Sequence, residues 1–564
     1  MLRWLLRLVG KVIAQPIRWR LAAFEAATQQ PQQVQETLLR TILARQTDTG
    51  FGRDHGFGQI RTVADYRRQV AIAPYERLEP YIARVRQGDL RALLADPQVL
   101  LFALTSGTTA ARKYIPITPQ YLADYRRGWN LWGLRAMRDH RPIILRPMLQ
   151  LVGDPEEFRT EAGIPCGSLS GLTAQVQKHI IRWLYAVPAC TGRIKDAVAR
   201  TYVALRFSVP RAISMILAAN PSSLLTLARA LDTHKEPLLR DLRDGTLDAQ
   251  LDLPASIRTE LTRKLRKHPA LVCQLESAIS ASGALLPSAV WPNDKVLIGT
   301  WTGGSVGPYL RQLPKYYGQT WVRDLGLLAS EGRMTLPFDD NTPAGVLDVT
   351  THYFEFIPEG EIDSPQPTVL GAHEVEAGRS YFIVPTTAAG LYRYQISDLV
   401  RVTGFFNRTP LIEFLGKGNR FASLTGEKLS EHQVTQAQEV TVRQTGLVIG
   451  AYSVAPCWDD ERPYYGLFVE ANDVLATGSA ERFLTAFEAQ LCALNTEYES
   501  KRQSGRLGPV RLLVVPTGFW AQWDRARQEK AGGPPEQYKH PCLIGDLAFR
   551  AQAPVQREQA APAA

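Results

Sequence analysis

The densest chemistry in the chain is a run of hydroxyls, Thr105-Ser106-Gly107-Thr108-Thr109, followed by a cation at Lys113. Set directly after an apolar strand, Val99 to Leu104, such a turn can cradle phosphate. Backbone N–H groups and hydroxyl donors then converge on anionic oxygens. It is not a Walker A loop, because the second glycine is missing and Tyr114 follows Lys113 where Ser or Thr is required. Alone it also reads as an ordinary turn. Further clusters follow: Thr302-Gly303-Gly304-Ser305, Ala329-Ser330-Glu331-Gly332, and Tyr392-Arg393-Tyr394-Gln395-Ile396-Ser397-Asp398. After them come Gly416-Lys417-Gly418, Gly426-Glu427-Lys428-Leu429-Ser430-Glu431 and Gln537-Tyr538-Lys539-His540-Pro541. Taken singly, Glu331 or Asp398 is an unremarkable carboxylate, solvated or salt-bridged. His540 reads as structural.

A competing chemistry lies in one of these clusters. Gly303-Gly304-Ser305-Val306-Gly307 satisfies G-x-S-x-G, follows the strand Val296 to Trp301 and precedes a helix start at Pro308. That is the setting of a nucleophile elbow. Ser305, with Asp348 or Asp398 and His373 or His432, would make it a serine esterase. Against this, no HGGG-type oxyanion segment precedes the serine, and a hydrolase leaves the Thr105 to Lys113 run and Lys539 without a task.

The elements that position these residues are α/β in kind. Val34 to Arg45 reads as a helix, Thr47 to Phe57 as a Gly-rich loop, and Tyr114 to Ile117 as a second strand behind the hydroxyl turn. Helical patterns fill Pro119 to Leu285, broken by Gly163-Ile164-Pro165 and Asn220-Pro221. Strands return at Val296 to Trp301, Tyr353 to Ile357, Tyr381 to Pro385, Leu399 to Thr403 and Leu411 to Leu415. The mixture predicts a large α/β body over 1–416. Past Gly416-Lys417-Gly418-Asn419, a smaller α+β lobe spans 417–550: a helix His432 to Thr445, strands Val448 to Ala455 and Tyr465 to Glu470, a long helix Ala480 to Lys501, and a strand Val510 to Val515. The Ala/Pro/Gln-rich stretch 551–564 reads as a disordered tail.

Composition bounds the function. With 564 residues, 45% hydrophobic and 21% charged, the chain has material for about four domain-sized units. The six cysteines, Cys166, Cys190, Cys273, Cys457, Cys492 and Cys542, form no CxxC pair. This argues against structural zinc and iron–sulfur sites and fits reduced thiols in a cytoplasm. The formal charge of +10 is diffuse and no nucleic-acid motif is found. Some of it sits at the start: within the basic amphipathic stretch 1–27, residues 1–20 carry Arg3, Arg7, Lys11, Arg18 and Arg20 between apolar residues at helical spacing. Such a helix either docks on the body or rests weakly on anionic lipid. It is not a signal peptide, and no run reaches the length of a membrane span.

In order and rough spacing, these clusters resemble the adenylate-forming superfamily and, more closely, the GH3 family of acyl-acid amido synthetases. The likeness extends to Thr49-Gly50-Phe51-Gly52-Arg53, Tyr114-Ile115-Pro116-Ile117-Thr118, Ala219-Asn220-Pro221-Ser222, Asn495 and Tyr498. It implies an ATP- and Mg²⁺-dependent enzyme that joins a carboxylic acid to an amine such as an amino acid through an acyl-AMP. By resemblance, Thr105, Ser106, Gly107, Thr108, Thr109 and Lys113 hold the β/γ-phosphates, while Gly303, Gly304, Ser305 and Ser330 line the nucleotide pocket. Glu331 carries Mg²⁺, and Asp398 takes the ribose hydroxyls. Lys417 and Gly418 form the hinge, and Lys539 reaches the α-phosphate. The acid is expected between Pro119 and Leu285, with Trp129, Trp132 and Trp183 as candidate walls. Two positions depart from the pattern: Ala110 replaces a frequent glycine, and Leu327 stands where relatives often place an adenine-stacking aromatic. An acyl-CoA synthetase shares the first half-reaction, and a non-catalytic nucleotide-binding protein is a further alternative.

Overall fold

The computed structural model describes residues 18–105, 113–177, 182–292, 295–362, 364–418, 421–422, 424–425, 427, 429–459, 462–474, 477–503, 507–531 and 538–560. Ser106, Gly107, Thr108, Thr109 and Ala110 therefore fall outside the described residues, as does most of the basic start. Among the described residues no helix is long and apolar enough to cross a membrane.

The body is built on three sheets. Four strands of three residues each, Met148–Gln150, Met215–Leu217, Leu297–Gly299 and Trp321–Arg323, pair in parallel in that order. The middle two, Met-Ile-Leu and Leu-Ile-Gly, are fully buried, as strands with helices on both faces must be. Their apolar faces pack on the helices Ala197–Ser208, Pro221–Thr233 and Lys235–Asp244. A second sheet has seven antiparallel strands, ordered Thr335–Leu336, Gly345–Leu347, Thr409–Lys417, Asp398–Phe406, Ser380–Thr386, Tyr353–Pro358 and Leu370–Gly371. In the third, Lys113–Ile117 pairs antiparallel with Leu101–Thr105, which runs parallel to Pro165–Gly167. The lobe has its own sheet, Tyr452–Cys457, Tyr464–Glu470, Arg511–Val515 and Arg557–Ala560, with its own apolar core against the helices Glu431–Thr445 and Thr477–Leu494.

Four readings of the sequence need correction. The stretch 551–564 is not wholly a tail, because Arg557–Ala560 pairs with Arg511–Val514. Polar composition concealed an edge strand, which needs apolar residues on one face at most. The long helix read over Ala480 to Lys501 breaks at Asn495, whose side chain caps the next helix by accepting from Tyr498 N at 2.9 Å. Thr47 to Phe57 is not all loop, since Thr49 caps a short helix, Gly50–Asp54. The span read as helical, 119–285, also contains three-residue strands of the parallel sheet, too short to show a periodicity.

Candidate active site

Body and lobe meet around a cleft of about 910 Å³, and its wall includes Lys113, Gly303, Ser330, Glu331, Asp398, Lys417 and Lys539. Residues spread over more than four hundred positions are thus brought together.

Ser330 and Glu331 form the tip of a hairpin between Leu328–Ala329 and Gly332–Arg333. Gly332 is required there, because a Cβ would lie 2.4 Å from His352 Nε2. The Ser330 carbonyl accepts from Tyr121 OH at 2.9 Å, fixing the tip. Glu331 is buried, and burial pushes its carboxyl above the ordinary range. The nearby Lys417 and Lys113 oppose that push, and Asp398 adds to it.

Asp398 opens its strand directly opposite Lys417, and the two side chains form an ion pair. Lys417 also donates to the Ile396 carbonyl at 3.1 Å. The turn leading into Asp398 is strained, with Arg393 (φ 45°) and Ser397 (φ 62°) both left-handed. What holds it is a buried ion pair: Arg393 donates to Glu355 at 2.7 Å, and to the Val70 carbonyl at 2.7 Å. Gly418 N donates to the Ser397 carbonyl at 2.8 Å. A Cβ at Gly418 would sit 1.9 Å from the Phe382 ring, so close approach accounts for this glycine.

Thr105 and Lys113 are a register pair of two antiparallel strands, and Lys113 lines the cleft. Lys113 donates to Tyr394 OH at 3.3 Å and lies 5.5 Å from the Tyr75 ring centre. Burial lowers its pKa, and Glu331 resists that. On the opposite side Lys539 stands between two rings, 4.3 Å from the centres of both Trp301 and Phe414. Below it is a buried acid, Asp324, which accepts from Thr302 N at 2.5 Å, Thr302 Oγ1 at 2.8 Å and Gly326 N at 2.6 Å. Burial raises its pKa, and Lys539 is among the groups that lower it. His540 is structural: it donates to Asp524 at 2.9 Å and packs edge-on to Trp520.

Gly303 lines the cleft, whereas Gly304 and Gly418 lie behind it. Ser305 sits in the helical turn Gly304–Val306 that follows Gly304 (φ 71°). The strand–turn–helix shape expected of a nucleophile elbow is therefore present. Its candidate acids are engaged elsewhere, however: Asp348 accepts from Arg127 and Thr350, and Asp398 pairs with Lys417. Of the three tryptophans expected as acid-binding walls only Trp129 lines the cleft, with Tyr125, Leu217, Leu325 and Leu327. Trp132 is buried in the core and donates to the Asp324 carbonyl at 2.8 Å, while Trp183 is 64% exposed.

Sequence reasoning missed Trp301, Asp324, Tyr394 and the role of Asn220, which donates to the Tyr538 carbonyl at 2.6 Å. Asp324 had a usable signal: it immediately follows a short parallel strand, where crevices of open α/β sheets form.

The chain superposes on a solved "GH3.15 acyl acid amido synthetase" with a TM-score of 0.84, over 96% of this chain and 97% of that one, at 21% identity. Its fold is thus that of the acyl acid amido synthetases. The profiles of the GH3 family N-terminal, central and C-terminal domains match residues 20–322, 345–417 and 431–548 in order. The chain belongs to the GH3 family. Among similar proteins are jasmonoyl–L-amino acid synthetase JAR4 of Nicotiana attenuata, 25% identical over 88% of both chains. Another is indole-3-acetic acid-amido synthetase GH3.8 of Oryza sativa subsp. indica, 26% identical over 91% of this chain and 88% of that one.

Proposed function

We propose that this chain is an ATP- and Mg²⁺-dependent acyl acid amido synthetase. The observation that carries the reading is the meeting of Lys113, Lys417 and Lys539 with Glu331 and Asp398 in one cleft. Three cations around two carboxylates suit a polyanionic nucleotide better than a neutral substrate. The family relatives named as amido synthetases favour an amine over a thiol as acceptor.

In this reading Asp398 takes the ribose hydroxyls once Lys417 releases it, and Thr105, Ser106, Gly107, Thr108 and Thr109 with Lys113 hold the β/γ-phosphates. Glu331 fits a hard cation, being a buried carboxylate near two lysines. Among the described residues no group of three His, Cys, Asp or Glu could enclose a metal, so Mg²⁺ would share Glu331 with phosphate oxygens. Held there by Glu331, Mg²⁺ would supply positive charge to the departing pyrophosphate. The substrate carboxylate oxygen attacks the α-phosphorus and pyrophosphate departs. Lys539 stabilises the charge that grows on the α-phosphate. The amine then attacks the acyl carbonyl, AMP leaves, and the amine proton passes to solvent. Residues 1–416 form the nucleotide- and acid-binding body, and 417–560, with the added edge strand Arg557–Ala560, the mobile lobe turning about Lys417-Gly418. That turn withdraws Lys539 between the half-reactions.

The test is pyrophosphate release from Mg-ATP across aryl, indolyl and fatty acids, with hydroxylamine trapping activated acyl groups. Acid-dependent pyrophosphate plus a hydroxamate is expected. Lys539→Ala should reduce that rate about 10²- to 10³-fold while ATP still binds. Turnover unchanged in Lys539→Ala would overturn the assigned role.

A further inference from the structure

Lys539 belongs to the lobe, yet the rings it rests between belong to the body, so something must register one against the other. We infer that Asn220 is that catch: a positioning residue of the body that holds the Lys539 loop in place for the first half-reaction and lets it go for the second. The inference rests on the acyl-adenylating function proposed above.

Asn220 is 5% exposed, and both ends of its amide are engaged. Oδ1 accepts from Ser222 N at 2.9 Å and caps the helix Pro221–Thr233. The cap fixes which way the amide points and leaves Nδ2 2.6 Å from the carbonyl of Tyr538, the residue before Lys539. The scaffold behind it is shared with the rings: the Ala219 carbonyl accepts from Trp301 N at 2.9 Å and from Thr300 Oγ1 at 3.2 Å. Trp301 and Asn220 are thereby fixed to adjacent points of one segment. On the lobe side the loop is stiffened by Asp524 of the helix Phe519–Ala531. Its carboxylate accepts from Tyr538 OH at 2.8 Å and from His540 Nδ1 at 2.9 Å, on either side of Lys539. A loop clamped at both flanks moves as a unit, so a hydrogen bond to the Tyr538 carbonyl locates the lysine itself. One neutral hydrogen bond is strong enough to register the lobe and weak enough to break within a catalytic cycle.

Two variants separate a catch from a mere structural cap. Asn220→Asp and Asn220→Ser both keep a cap acceptor for Ser222 N; the ionised aspartate has no donor for the Tyr538 carbonyl, and the serine hydroxyl is one atom too short to reach it. Each half-reaction is then measured alone: pyrophosphate release from Mg-ATP with an acid the wild type activates, and amide formation from the corresponding acyl-adenylate with mixed L-amino acids. The expected result is a fall of about tenfold in the first, no fall in the second, and an unchanged melting temperature. Equal losses in both half-reactions, or a lowered melting temperature, would make Asn220 a fold residue and overturn the inference. No loss in either would overturn it as well. Failure of the wild type itself to release pyrophosphate would remove the proposed function and this inference together; the wild-type control tells the two failures apart.

Discussion

The turn that presents Asp398 depends on a pair of buried charges, Arg393 and Glu355, that do not themselves line the cleft, and Glu355→Gln isolates that dependence. Glu355 is fully buried on the strand Tyr353–Pro358. It accepts from Arg393 Nε at 2.7 Å, Arg393 Nη2 at 3.3 Å and Arg67 Nε at 2.8 Å. Glutamine keeps the volume and one acceptor but removes the only negative charge in this trio. Arg393, 4% exposed, is left as an unneutralised cation in the core. Removing one partner of a buried pair costs about 3–5 kcal/mol. Arg67 is 30% exposed and can turn to water, so the lower end of that range applies, about 3 kcal/mol. The effect should be local first, because Arg393 also ties the left-handed turn to the Val70 carbonyl. Amide hydrogen exchange on Ser380–Thr386 and Asp398–Phe406 measures it directly. Protection should fall by about two orders of magnitude, and Mg-ATP affinity should fall with it as Asp398 loses its fixed position. Arg393→Met in the Glu355→Gln background should restore much of the protection, since no buried charge then remains unpaired. Protection within threefold of wild type in the single variant would refute the electrostatic account of this turn.

Two predictions concern pH. Burial holds the Glu331 carboxyl above its ordinary 4.5, and in the proposed mechanism the ionised form is the one that would share a cation with phosphate. Mg-ATP affinity should therefore weaken on acidification well before an exposed glutamate would protonate, and Glu331→Gln should bind more weakly and lose that acid limb. An identical limb in Glu331→Gln, measured by titration calorimetry between pH 5 and 8, would clear Glu331 of the role. His352 is driven by burial from 6.5 down to about 4, so the unfolded chain takes up a proton that the folded chain refuses. Its contribution is fully present above pH 6.5 and is lost as pH falls towards 4, by about 1.4 kcal/mol per pH unit. Urea unfolding at pH 7 and 5 should show that slope diminished in His352→Gln; an equal slope in both proteins would refute it.

The sequence was most legible where chemistry is carried by types that have few other reasons to cluster. Glu331, Asp398, Lys417 and Lys539 stand in short polar runs between apolar strands, and all four line the cleft. The longer strands of the antiparallel sheet were also legible, because runs such as Tyr381 to Pro385 are apolar and bounded by turns. The parallel sheet was not: three residues carry no period, and Met215–Leu217 is indistinguishable from the apolar stripe of a neighbouring helix. Trp301 and Phe414 escaped because an aromatic beside a lysine in space is an aromatic like any other in sequence. Asp324 escaped because its one signal, the place directly after the strand Trp321–Arg323, belongs to a parallel sheet whose strands are too short to read. Arg557–Ala560 shows the opposite failure, in which composition was read as disorder although the backbone could still add to an edge.

The two halves of the cleft differ in how far apart their parts lie along the chain, and this bears on the order in which they form. Asp398 and Lys417 face each other across a single hairpin, Asp398–Phe406 with Thr409–Lys417. Their pairing closes a small loop. The parallel strands whose ends bear Gln150, Leu217 and Asp324 are joined by whole helical layers and close only at a large entropic cost. A refolding chain should thus form the hairpin of Asp398 and Lys417 in the earliest phase and complete the parallel sheet in a slower one. During that interval the cleft wall that carries Asp398 and Lys417 exists without the wall that carries Leu217 and Asp324.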